Sequence, residues 1–180
     1  MKKFDIPDVN TPDYWDKNQT AFDFGLRQQK YLDLAGSGKS ICEVGCGLSP
    51  FLTVAQKHFP VAVGYDFSSE TVRRGGELYQ NVHYFQLNAN DLWKLDTKYE
   101  VVVAGEIIEH LQDPDTFLKE LCRIAKRRVI LSTPNLEFED KEHLWEFDEQ
   151  YFNERGFNTE VIESERFTGR KYIFVWKDIL

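Results

Sequence analysis

The chain has 180 residues, 42% of them hydrophobic and 14% aromatic, enough to bury one core and pointing to a single domain over residues 1–180. Its 22 Lys and Arg stand against 30 Asp and Glu, and the net charge of -8 disfavours nucleic acid as a partner. No apolar run reaches the roughly 20 residues of a membrane span, and "MKKFDIPDVN" lacks the apolar stretch of a signal peptide, so a cytoplasmic protein is expected.

In chain order, "TPDYWDKNQTAFDFGLRQQKYLDLA" reads as aromatics followed by an amphipathic helix, a helical cover over about residues 11–36. Short runs rich in β-branched and aromatic residues follow at 40–46, 61–66, 82–87, 100–105 and 128–133, each with the look of a buried strand. Between them lie helical patterns at 50–59, 68–80 and 114–127, the last opening with Asp113 as N-cap and Pro114 at the first helical position. Strand and helix alternate, which predicts right-handed crossovers and a mostly parallel sheet covered on both faces. After a helix near 149–157, two strands separated by "TG" are too close in sequence for a parallel crossover and must pair antiparallel. Cys42, Cys46 and Cys122 are odd in number without CxxC spacing, as reduced thiols rather than a disulfide frame.

In an open α/β sheet, ligands bind beyond the carboxyl ends of the strands at the switch point, which directs attention to the first strand-to-helix turn, "EVGCGLSP". Gly45 and Gly47 allow a tight turn and close backbone approach to a ligand. Asp66, 19 residues after Gly47, closes the second strand, where a carboxylate accepts both hydroxyls of a ribose. Together they indicate an adenosine-containing cofactor. A dinucleotide fingerprint wants glycine or alanine where Pro50 stands, so the pyrophosphate reading suffers.

With Glu43 two residues before Gly45, the turn resembles that of the class I S-adenosylmethionine-dependent methyltransferases, and the resemblance extends over nearly the whole chain. It implies a Rossmann-like, doubly wound α/β fold with a mostly parallel seven-stranded sheet and an antiparallel C-terminal strand pair. The resemblance assigns Glu43 to orienting the glycine loop and the cofactor's methionine end, and Asp66 to the ribose. It extends the cofactor set to Cys46, Phe67, Ala89, Asn90, Gly105 and Glu106. Two departures stand out: the family's usual third glycine is Ser49, and its adenine-side acid after strand three is Asn88, whose side-chain oxygen still accepts a hydrogen bond. The N-terminal helix either covers the sheet or closes over the methionine end, with Tyr14 or Arg27 near the carboxylate.

The acceptor side is read from "VVVAGEIIEHLQDPDTF". Glu106, Glu109 and His110 have i, i+3, i+4 spacing, which on a helix puts them on one face. The Asn/Asp-Pro-Pro-aromatic motif of base amino-methyltransferases is absent. The segment instead resembles two branches of the family. One comprises ubiquinone-biosynthesis and related small-molecule or sugar O-methyltransferases. The other comprises small-RNA 3′-terminal ribose 2′-O-methyltransferases, in which two glutamates, a histidine and a later histidine, matched by His143, hold a divalent metal. The acidic charge and the lack of a basic stripe favour a small-molecule or sugar acceptor. His110 and Glu109 are the catalytic candidates, and Glu106, Glu109, His110 and His143 the candidate metal ligands. Trp145 is a core or groove residue that lines an acceptor pocket on the sharper reading. A nicotinamide oxidoreductase and a non-catalytic adenosyl-binding module are the alternatives from other classes. Acceptor, pathway and oligomeric state are not legible.

Overall fold

A computed structural model describes residues 11–13, 25–135, 143–163 and 171–180. The β-rich runs become seven strands of one sheet: β1 Ser40–Val44, β2 Val61–Asp66, β3 His83–Gln86, β4 Tyr99–Gly105, β5 Ala125–Pro134, β6 Asn158–Glu163 and β7 Lys171–Asp178. Their spatial order is β3-β2-β1-β4-β5-β7-β6. The first five pair in parallel, while β7 runs antiparallel to both β5 and β6. The mostly parallel sheet and its antiparallel terminal pair are as expected. From β1 the chain winds outward through β2 and β3, then returns to β4 on the other side of β1. The switch point therefore lies between the carboxyl ends of β1 and β4.

Among the described residues, α-helices cover the sheet as α1 Leu26–Ala35, α2 Pro50–Ala55, α3 Ser69–Leu78, α4 Pro114–Ile124 and α5 Glu149–Asn153. Successive strand residues feed opposite faces, so each central strand contributes to two cores. Val102 and Val129 join Leu118, Leu121 and Phe152 on the face covered by α4 and α5. Ile41, Val101, Val103 and Ile130 join Tyr31, Phe51 and Leu52 beneath α1 and α2. Burying each such side chain contributes about 1.5–3 kcal/mol. On α3, Gly75 lies against the Tyr84 ring, where an added Cβ would come within 2.6 Å of Cε1. No helix among the described residues is long and apolar enough to cross a membrane.

The caps follow local chemistry. Asp113 Oδ1 accepts from Thr116 N at 2.9 Å ahead of Pro114, and Ser68 and Asp148 cap α3 and α5 in the same way. Elsewhere the helical patterns overreach. The run taken as helical to residue 127 stops at Ile124, because Ala125 is already extended and pairs with Tyr99. Arg127, read as the end of that helix, lies in β5 with Arg128, and the two donate to the C-terminal carbonyls of α1, Ala35 and Leu34, at 2.9 and 2.6 Å. Of the N-terminal cover, α1 is seen and residues 14–24, including Tyr14, lie outside the described residues. Cys42 and Cys46 are buried and all three thiols are free.

Candidate functional site

At the end of β1 the chain turns through two left-handed glycines, Gly45 at φ 69° and Gly47 at φ 51°. The amides of Gly45 and Cys46 both donate to Tyr65 O, at 2.8 and 3.0 Å, which folds the turn back over β2. A Cβ on Gly45 would collide with Ile107 Cδ1. Ser49 is left-handed as well, at φ 35°, and fully buried. Its hydroxyl donates to Glu43 Oε2 and accepts from Leu52 N at 3.0 Å, so one side chain both caps α2 and anchors the motif acid. Burial pushes the Glu43 carboxyl up to about 8, against the opposing pull of Ser49 and Arg27.

Asp66 closes β2 with both oxygens engaged: Oδ2 accepts from Gly47 N and Oδ1 from Ser68 N, each at 2.9 Å. Burial raises its carboxyl and the two amides oppose the rise. Phe67 follows and is 48% exposed. After β3, Asn88 Oδ1 accepts from Asn90 N at 2.9 Å and caps a 3₁₀ helix over Ala89–Lys94 that the periodicity did not foretell. The strand ends thus bring Glu43, Asp66 and Asn88 to the same edge of the sheet.

Glu106, the residue after β4, has left-handed backbone at φ 55°, and only Ile108–His110 form a turn of 3₁₀ helix. The i, i+3, i+4 spacing therefore does not put Glu106 on a common helical face with Glu109 and His110. The cause is the strand end, where Glu106 N is held by Ser132 O at 3.0 Å before any helical turn begins. Ser132 Oγ donates to Glu106 Oε1 at 2.6 Å and shares a 2.6 Å hydrogen bond with the buried Tyr31 hydroxyl. Arg27 Nη1 stands 3.6 Å from Glu106 Oε2. Gly105 lies where a Cβ would collide with the Tyr31 hydroxyl. Tyr31 and Ser132 escaped the sequence reading because nothing local in "KYL" or "LST" tells of a contact between residues 101 positions apart.

Glu109 is only 1% exposed. Its Oε2 accepts from Thr133 Oγ1 at 3.0 Å, whereas Oε1 has no hydrogen-bond partner among the described residues. Burial drives its carboxyl well up, and the neighbouring Glu106 adds to the rise. The His110 and His143 rings meet edge to face at 4.9 Å, and one donor atom each from Glu109, His110 and His143 lies within 4.8 Å of the others. Glu106, bound to Ser132, is not in that group. Residues 143–145 are fastened to the 3₁₀ turn by Leu144 N on Glu109 O and Trp145 Nε1 on Leu111 O, both at 2.8 Å. Trp145 remains 43% exposed beside His143.

A doubly wound α/β protein with a glycine turn, two strand-end acids and a buried acid beside two histidines at one switch point is the class that fold and site define. The chain belongs to the methyltransferase domain family, whose model matches residues 14–165. It is 31% identical over 136 residues to a probable S-adenosylmethionine-dependent methyltransferase of Mycobacterium tuberculosis, covering 72% of this chain and 46% of that protein. It is 26% identical over 117 residues to a ubiquinone biosynthesis O-methyltransferase of Coxiella burnetii, covering 61% of this chain and 50% of that protein. The chain spans about half the length of these curated relatives. Its fold matches that of magnesium protoporphyrin IX methyltransferase from Synechocystis with bound SAH, with TM-score 0.70 and 16% identity over 93% of this chain and 97% of that one. A SAM dependent methyltransferase from Aquifex aeolicus matches with TM-score 0.67 and 20% identity, over 92% and 98%.

Proposed function

We propose that residues 1–180 act as one S-adenosylmethionine-dependent methyltransferase domain, working in the cytoplasm on a hydroxyl oxygen of a small molecule or sugar. The observation that carries the reading is the convergence of the Glu43–Gly47 turn, Asp66 and the Arg27–Glu106 pair on one switch point. The donor set fits the cofactor. Asp66 keeps lone pairs for ribose hydroxyls beyond the two amides it accepts, and Arg27 beside Glu106 offers opposite charges to an amino-acid end. Glu43, Cys46, Phe67, Asn88, Ala89, Asn90 and Gly105 complete the shell. When bound, S-adenosylmethionine supplies a sulfonium methyl already activated for transfer to an aligned nucleophile. The chain then has to hold the acceptor and take a proton, since proximity supplies much of the rate. An imidazole nitrogen of His110 takes the hydroxyl proton, and Glu109 fixes the turn that carries it. The family relative named for ubiquinone biosynthesis supports a small-molecule acceptor.

A second reading, metal-dependent 2′-O-methylation of an RNA 3′-terminal ribose, is favoured by one observation, the grouping of Glu109, His110 and His143 donors, with a Glu109 oxygen that has no hydrogen-bond partner among the described residues. Two imidazoles and a carboxylate suit Mn²⁺, Fe²⁺ or Zn²⁺, and Mg²⁺ if water completes the shell; such an ion lowers the pKa of a bound hydroxyl. The charge of -8 weighs against RNA and leaves a metal-assisted small-molecule reaction as the milder form of this reading. Calorimetry with S-adenosylhomocysteine, followed by an acceptor screen that reads its release, tests the proposal. Tight binding of a nicotinamide dinucleotide without binding of S-adenosylhomocysteine would overturn it. Cofactor binding with no turnover on any acceptor class would identify a non-catalytic adenosyl-binding module.

A further inference from the structure

We infer that Tyr31 and Ser132 are positioning residues that hold Glu106 and Arg27 as a preformed clamp for a zwitterionic amino-acid group, an inference that rests on the cofactor reading above. The chain of hydrogen bonds has a definite direction. With Glu106 a carboxylate, Ser132 Oγ spends its single proton on Glu106 Oε1, so the 2.6 Å bond to Tyr31 has the tyrosine hydroxyl as donor. Ser132 grips Glu106 twice, through its carbonyl on the Glu106 amide at 3.0 Å and through its hydroxyl on the carboxylate. That two-point hold keeps a non-glycine residue in left-handed backbone at φ 55°, a state that persists only where its surroundings over-determine it.

The same helix supplies the cation. Arg27 precedes Tyr31 by four residues on α1, so the two side chains share a face of the helix. Tyr31 anchors that face from between Phe51 and Phe174, with ring centroids 5.5 Å away in both cases. Its hydroxyl reaches the spot a side chain at position 105 would need, which explains glycine there. The result places Arg27 Nη1 3.6 Å from Glu106 Oε2, too far for a hydrogen bond. The two charges form an ion pair without a direct hydrogen bond between them. An ammonium beside Glu106 and a carboxylate beside Arg27 complete the set. The bond between Tyr31 and Ser132 uses one of their two hydroxyl protons, and the acceptor of the other is Glu106 Oε1. The extension to a carboxylate that is 22% exposed at the cofactor edge is what a core contact does not require.

The test compares two probes, S-adenosylhomocysteine and 5′-methylthioadenosine, which shares the adenosine and thioether but lacks the amino-acid group. Calorimetric Kd values are measured for the parent, Tyr31→Phe and Ser132→Ala, with thermal melting as a check of folding. Both variants should weaken S-adenosylhomocysteine about fivefold or more, one lost hydrogen bond's effect, while methylthioadenosine changes less than about twofold. Equal losses for both probes, or unchanged S-adenosylhomocysteine affinity in Ser132→Ala, overturn the clamp and leave Tyr31 and Ser132 as core residues. A parent protein that binds neither probe fails the cofactor reading itself, and the clamp with it. Methylthioadenosine binding without tighter S-adenosylhomocysteine binding overturns the clamp alone.

Discussion

The Gly47 amide donates to Asp66 Oδ2 at 2.9 Å, so the carboxylate that ends β2 is built into the turn that ends β1. Asp66 also holds Ser68 N, the start of the α3 cap, through its other oxygen. Replacing it by alanine leaves two amides without their acceptor, and each such loss costs about 1–3 kcal/mol where water cannot substitute. Asp66→Ala should therefore lower both stability in urea and affinity for S-adenosylhomocysteine, the latter by tenfold or more on the order of one or two hydrogen bonds. Asp66→Asn, which keeps one acceptor oxygen, should recover part of the stability and less of the affinity. Parent-like affinity in Asp66→Ala would remove this residue from the cofactor site.

Gly45 is fixed by two separate demands, a φ of 69° and the Ile107 side chain that fills the space of a Cβ. Left-handed backbone costs an L-residue about 1–2 kcal/mol, and overpacking adds about 1–3. Gly45→Ala should thus lose about 2 kcal/mol or more in denaturant unfolding. Adding Ile107→Val deletes the colliding Cδ1 and should return the steric share alone. A double variant no more stable than Gly45→Ala would show that the backbone angle, rather than Ile107, sets the requirement.

The Glu43 carboxyl, pushed up to about 8 by burial, gives stability a pH signature. Its ordinary value is about 4.3, so between the two values the folded chain keeps a proton that the unfolded chain has released. The stabilisation is complete below about 4.3 and is lost as pH rises through about 8. The ligand-free protein should lose stability across this window, with Glu43 contributing at most about 1.4 kcal/mol per pH unit. Glu43→Gln keeps an acceptor for the Ser49 hydroxyl and cannot ionise, so its profile should be flatter by that one proton. The residual slope belongs to Asp66, Glu106 and Glu109, which burial pushes the same way. Urea midpoints at about pH 5 and about pH 8 for both proteins decide it, and identical slopes would show that Glu43 ionises normally.

What was legible in the sequence was local. The strand runs carry their own β-branched signature, and Glu43, Gly45, Gly47 and Asp66 sit in short patterns whose spacing reflects one turn and one crossover. The relationships that shape the site are not of this kind. Tyr31 meets Ser132 across 101 positions, and Ile107 fills the space above Gly45 only once β4 lies beside β1. Helical spacing misjudged Glu106 because a strand-end hydrogen bond to Ser132 outweighs the periodicity of the next residues. Arg127 looked like a helix end for a similar reason: its partner is a carbonyl of α1, Ala35 O, about ninety residues earlier. Propensity describes a segment, whereas these roles are set by tertiary neighbours.

The Glu109, His110 and His143 group makes the sharpest prediction about chemistry. Its donor atoms lie within 4.8 Å of one another, and donors around a bound ion at about 2.0–2.2 Å lie somewhat closer, so a small contraction suffices. The buried Glu109 Oε1 has no hydrogen-bond partner among the described residues, and a cation would satisfy it while opposing the upward push that burial gives the carboxyl. Titration of the metal-free protein with Mn²⁺ or Zn²⁺ should show one ion per chain, with thermal stabilisation near 2.7 kcal/mol at about a hundredfold excess over Kd. Glu109→Gln and His143→Ala should each abolish it. Glu106→Gln should not, because Glu106 is engaged by Ser132 and Arg27 rather than by the two imidazoles. Loss of ion binding in Glu106→Gln would extend the ligand set to four. Methylation unaffected by chelators, with His143→Ala as active as the parent, would remove the metal and leave His110 as the base. In that case His110→Ala should keep S-adenosylhomocysteine affinity and lose about a hundredfold or more in rate, the contribution typical of a general base.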